Sequence, residues 1–141
     1  MEYVTDIHAL NLPSETDTTG DWHASALQWK RLRMAESDDS IFGDWGITRD
    51  SSARIPEHEG QRFNVANHVR VLLDMLERGR LSVARGMRDV YIGNDAYNDE
   101  IFPRVWLLHQ SDNWPCIDHF MKKEYGRAWL GFVKEAQREV A

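Results

Sequence analysis

Residues Asn64–Arg78, NVANHVRVLLDMLER, carry the most regular pattern in the chain. Val65, Val69, Leu72, Leu73 and Leu76 recur at the offsets of one helical face, which predicts an amphipathic helix. Asn64 suits its N-cap, because the side chain can accept a hydrogen bond from a free first-turn N–H. Gly79 stands where a left-handed residue closes a helix.

Downstream, the sequence reads as helix after helix. A shorter one is expected from Ser82 to about Tyr91, with Val83, Met87 and Val90 inward, until Gly93-Asn94-Asp95 interrupts it. The next opens at Asn98, where Asp99 and Glu100 suit the positive end of the helix dipole. Ile101, Val105 and Leu108 form its stripe, and Pro103 is tolerated at or near the first turn. After Ser111-Asp112-Asn113, Pro115 suits the N1 position of a last helix. That helix carries Ile117, Phe120, Met121, Tyr125, Ala128, Phe132 and Val133, and Gly126 and Gly131 can divide it. Residues 64–138 are therefore expected as a bundle of about four helices.

Upstream the texture changes. Residues 1–60 hold 5 Lys+Arg and 12 Asp+Glu (5 − 12 = −7), whereas residues 61–141 hold 12 and 11 (12 − 11 = +1). Turn formers punctuate the first part, at Thr18-Thr19-Gly20-Asp21, Ser37-Asp38-Asp39-Ser40 and Gly43-Asp44. Tyr3–Leu12, YVTDIHALNL, predicts a strand ended by Pro13. Asp21 can cap a helix through Ala24, Leu27 and Gln28. Trp29–Met34 fits a strand by alternation or a helix by spacing, and Ile41–Thr48 is turn-rich with room for a short strand. The expected fold class is α+β, mostly α: a helical bundle with a small β-containing, turn-rich N-terminal region. At 141 residues this makes one domain, 1–141, whose acidic 1–60 part and helical 61–141 part share a core.

Composition narrows the class. The chain is acidic, 17 Lys+Arg against 23 Asp+Glu for a net −6, and 42% of it is apolar. No apolar run approaches the roughly 18–20 residues of a membrane span, and no basic-then-apolar leader opens the chain. Cys116 is the single cysteine, which excludes an internal disulfide and a Cys-based zinc finger. A cytoplasmic protein is expected.

Six histidines bear on chemistry, as the commonest metal ligands and the side chains that titrate near neutrality. Asp6-Ile7-His8 and Asp21-Trp22-His23 repeat one pattern. In an extended segment each Asp/His pair points to one side, so His8, His23, Asp6 and Asp21 are the candidate ligands of a zinc or manganese ion. The plainer reading makes the aspartates turn caps and the histidines packed or solvated groups. Cys116 and His119 stand three apart on the opening turn of a helix, a spacing that seldom aligns a thiolate with an imidazole. No nucleophile elbow, Walker lysine or Gly-x-Gly-x-x-Gly loop is present. No catalytic residue is assigned.

Nucleic-acid binding needs positive charge, and the chain is acidic. The local exception is an arginine-rich run; Arg70, Arg78, Arg85 and Arg88 are candidates to grip phosphate or an acidic group, including the acidic loops of the same protein. Trp22, Trp29 and Trp45 fall in the turn-rich part beside Asp38, Asp39 and Asp44, and these six residues form the candidate binding face. Trp106 and Trp129 are expected in the core.

The function expected is a small acidic protein-binding module, of antitoxin, immunity or inhibitor type, that neutralises a basic protein partner with no cofactor. The alternative is a metal-dependent enzyme acting on a phosphorylated or nucleotide substrate. An arginine-based nucleic-acid binder ranks last.

Overall fold

The computed structural model describes residues 1–13, 27–92 and 95–140. Among them stand six α-helices and one four-stranded sheet, so the fold is α+β and mostly α, as expected. The chain forms two compact units, Met1–Asp74 and Met75–Ala141, and the division falls within a helix rather than at the change in charge near residue 60.

The first unit is built on strands β1 (Glu2–Val4), β2 (Met34–Glu36), β3 (Ile47–Ser51) and β4 (Phe63–Ala66), in the order β2-β1-β4-β3. β1 pairs antiparallel with β2 and parallel with β4, where Val4 faces Val65, and β3 pairs antiparallel with β4. A helix follows each parallel strand: α1 (Asp6–Leu10) after β1 and α2 (His68–Glu77) after β4. The strand expected over Tyr3–Leu12 thus ends at Val4. Asp6, at φ 60°, turns the chain sharply, and its Oδ1 accepts the Ile7 N–H at 2.8 Å. An aspartate tolerates this left-handed conformation because its side chain satisfies the backbone locally.

The deciding stretch also divides differently from its periodicity. Asn64, Val65 and Ala66 belong to β4, and the helix begins at His68. Asn67, not Asn64, is the N-cap: its Oδ1 accepts the Arg70 N–H at 2.8 Å. Asn64 instead ties β4 to both its neighbours, donating to the Glu2 carbonyl and accepting from the Asp50 N–H, each at 2.9 Å. The far end behaves as expected. Gly79 has φ 76°, its N–H reaches the Leu76 carbonyl, and the Arg80 N–H reaches the Met75 carbonyl, which is a Schellman closure. The amphipathic reading is incomplete, because α2 is buried on its polar side too; His68, Arg70 and Asp74 are 0%, 0% and 2% exposed. Such groups must find partners in the protein.

In the second unit the helix expected over Ser82–Tyr91 is reduced to α3 (Leu81–Ala84) and a π-turn at Arg88–Ile92. Gly86, at φ 88°, breaks the helical run between them. α4 (Asn98–Trp106) opens where expected and buries Ile101 and Val105, with Leu108 just beyond it. Pro103 lies past the first turn, with its ring exposed. α5 (Trp114–Tyr125) buries Ile117, Phe120, Met121 and Tyr125, then stops at Gly126 (φ 57°); α6 (Arg127–Val140) continues as a separate piece. On α6 Ala128 is exposed, and the residues that turn inward are Ala136 and, more fully, Trp129. Its ring lies 5.3 Å from that of Phe102, edge-on, and its Nε1 donates to Asp118 Oδ1 at 2.9 Å. Trp129 is core as expected, whereas Trp106 is half-buried, stacked on His109.

Candidate functional site

β2 and β3 occupy opposite edges of the sheet, so residues 37–46 carry the chain from one edge to the other. The segment is a succession of tight turns. A 3-10 turn spans Ser37–Asp39, and the N–H groups of Ser40, Gly43 and Trp45 each bond the carbonyl three residues back. Gly43 and Gly46 take φ 55° and 75°, a region glycine enters at no steric cost.

Beneath this loop lies Arg70. Its Nη1 donates to the carbonyls of Gly43 and Trp45, both at 2.6 Å, its Nη2 to the Tyr3 hydroxyl at 3.0 Å, and its Nε to Asp74 Oδ1 at 2.8 Å. The other oxygen of Asp74 accepts from the hydroxyls of Tyr3 (2.8 Å) and Thr5 (2.7 Å). The guanidinium carbon also sits 5.1 Å from the Tyr3 ring centre and 5.6 Å from that of Phe42. A buried charge pair is tolerable when its geometry is good and its remaining donors and acceptors are met. Here the arginine uses its spare donors on the loop backbone. The Asn67 N–H adds a bond to the Gly46 carbonyl at 2.7 Å.

The candidate binding face emerges on that support. Asp38 and Asp39 are exposed and make no ion pair among the described residues. Asp44 is exposed and pairs with Arg49 at 3.0 Å. The Ser37 hydroxyl beside it, and then Arg49, hold the Asp44 carboxyl below the ordinary carboxylate range. Ile41, which the sequence did not single out, stands among these acids 53% exposed. Trp45 is half-buried and takes part through its carbonyl. Trp29 is half-buried, with its ring edge-on to His8 at 5.1 Å. Trp22 lies outside the described residues.

Of the candidate metal ligands, Asp6 and His8 are described, and each has a local role. Asp6 and His8 stand on α1 rather than in an extended segment, so a spacing of two turns them to different sides. His8 Nδ1 accepts the Arg33 N–H at 2.9 Å, and Nε2 donates to the Gln28 carbonyl at 2.7 Å. Both ring nitrogens are therefore engaged by main chain. Asp21 and His23 lie outside the described residues. Among those described, no three of His, Cys, Asp and Glu gather as a cation site.

The four arginines differ in exposure and pairing. Arg70 is sealed in the first unit and grips loop carbonyls, not carboxylates of the loop. Arg88 pairs with Asp89 (3.1 Å) and Asp95 (2.7 Å), while Arg78 and Arg85 are exposed. No family model, curated protein or solved structure matches the chain.

Proposed function

We propose that this chain is a protein-binding module that presents the 37–46 loop to a basic protein partner, in the manner of an antitoxin, immunity protein or inhibitor. One observation carries the reading: a fully buried arginine spends two hydrogen bonds on fixing the backbone of an exposed acidic turn. A loop held in one conformation loses little entropy on docking, so its contacts convert more fully into affinity. Asp38 and Asp39 supply charge that steers a cationic partner, and Ile41, two residues on, supplies a small apolar anchor. The net charge of −6 favours the same class of partner.

The test is copurification of the tagged chain from its native source, followed by the variant Asp38→Asn/Asp39→Asn/Ile41→Ser. The reading expects a partner of basic pI, an affinity that falls as salt rises, and at least a tenfold loss in the variant with an unchanged circular dichroism spectrum. A partner bound equally well by the variant, or one that is acidic, overturns it.

A further inference from the structure

The second unit contains a cavity of about 800 Å³ between α3 and α5. We propose that it binds a small organic monoanion, an alkyl or aryl carboxylate, at a site separate from the acidic loop. Its apolar wall is made by Leu81, Pro115 and Phe120, and its polar rim by Arg85, His119 and Lys123. Pro115, His119 and Lys123 succeed one another at intervals of four on α5 and so share one face. Arg85 approaches from the end of α3.

The side chains of Arg85, His119 and Lys123 make no ion pair or hydrogen bond to a described residue. The one carboxylate in the lining, Glu124, is committed elsewhere through its Oε1, which accepts the Gly86 N–H at 2.8 Å. Leaving His119 aside, the lining carries two cations and one anion, a net charge of +1 (2 − 1), in a chain whose overall net charge is −6. The volume falls within the roughly 300–1,000 Å³ of small-molecule sites, which combine an apolar wall with a few placed polar groups. An organic monoanion meets both requirements: its head balances Arg85 and Lys123 while its body covers Leu81 and Phe120. Cys116, the single cysteine, is exposed in the same lining. It therefore provides a built-in reporter of occupancy.

Two fluorescent probes of one ring system separate charge from hydrophobicity: anilinonaphthalene sulfonate, a monoanion, and N-phenylnaphthylamine, its uncharged counterpart. The sulfonate is expected to bind one site in the tens of micromolar and the neutral probe at least tenfold more weakly. Dodecanoate is expected to displace the sulfonate and to slow alkylation of Cys116 by iodoacetamide several-fold. The variant Arg85→Gln/Lys123→Gln, at two exposed positions, is expected to lose at least fivefold in affinity for both anions while keeping its unfolding midpoint. Equal binding of the two probes, full affinity in the variant, or sulfonate binding that leaves Cys116 alkylation unchanged each overturns the proposal. So does binding of an acidic peptide with no affinity for either small anion.

Discussion

Arg70 and Asp74 face each other one turn apart on α2, with Nε and Oδ1 separated by 2.8 Å, and neither reaches solvent. Removing one member strands the other charge in the interior, a change that typically costs about 3–5 kcal/mol. Arg70→Met is expected to lie in that range, since it also frees the carbonyls of Gly43 and Trp45. Asp74→Asn is expected to cost less, because an amide oxygen can still accept from Tyr3 and Thr5. Urea unfolding of both variants checks the order; equal losses would show that the loop carbonyls contribute nothing.

Gly46 presses against this pair. A Cβ built there lies 2.8 Å from Arg70 Cβ, and the backbone sits at φ 75°. The obstructing atom is the root of a side chain whose tip is fixed by four hydrogen bonds, so it has no room to yield. Gly46→Ala is expected to lower stability by about 2–4 kcal/mol, combining left-handed strain with overpacking. Gly43→Ala meets open space at φ 55° and is expected to cost only about 1 kcal/mol. A smaller gap between the two midpoints would mean that the loop gives way over Arg70.

Asn67 and Asn64 provide a second pair of contrasts. Asn67→Ala removes the cap of α2, at about 1 kcal/mol. Asn64→Ala leaves the helix start intact but cuts the bridges to Glu2 and Asp50. Amide exchange separates them: the first-turn amide of Arg70 is expected to lose protection in Asn67→Ala alone.

The same two asparagines show where the sequence stops being legible. Both are good caps, and Val65 fits the helical stripe as well as it fits a strand. What decides is the pairing of Val65 with Val4, a partner at the far end of the unit's sequence. The helices after Asn98 were readable because each buries one stripe and is bounded by its own turn residues. At the candidate site, exposure of Asp38 and Asp39 follows from composition, and Arg70-x-x-x-Asp74 is a visible i, i+4 pair. The grip on Gly43 and Trp45 was not readable, since backbone carbonyls carry no sequence signature. In the D-x-H repeat, the Asp6-Ile7-His8 half assumes an extended backbone, where Asp6 instead opens a helix that no local pattern announces.

Stability is expected to depend on pH through His68. Its Nε2 donates to the Leu12 carbonyl at 3.0 Å, and burial holds the imidazole below its ordinary value of 6.5. The unfolded chain therefore binds a proton that the folded chain resists, so stability rises with pH over the window below about 6.5 and falls as acid is added. The contribution to the slope is at most about 1.4 kcal/mol per pH unit. His68→Gln is expected to flatten the plot of unfolding free energy between pH 6.5 and 5, whatever its effect on absolute stability. An unchanged slope would assign the acid sensitivity to carboxylates instead.

Tyr125 presents the opposite case, a buried polar group without a bonding partner. Its ring packs edge-on against Phe102 at 5.3 Å, while its hydroxyl finds no hydrogen bond among the described residues. Burial, and then the nearby Glu124, push the phenol well above its ordinary value. An unsatisfied buried hydroxyl costs about 1–3 kcal/mol in lost hydration, and phenylalanine keeps the ring contact while discarding that cost. Tyr125→Phe is accordingly expected to raise stability by about 1 kcal/mol, whereas Tyr125→Ala should lower it by about 3 kcal/mol through the cavity left beside Phe102. Thermal and urea unfolding of the two variants resolve the hydroxyl from the ring. A loss of stability in the phenylalanine variant would mean that the hydroxyl is satisfied in solution.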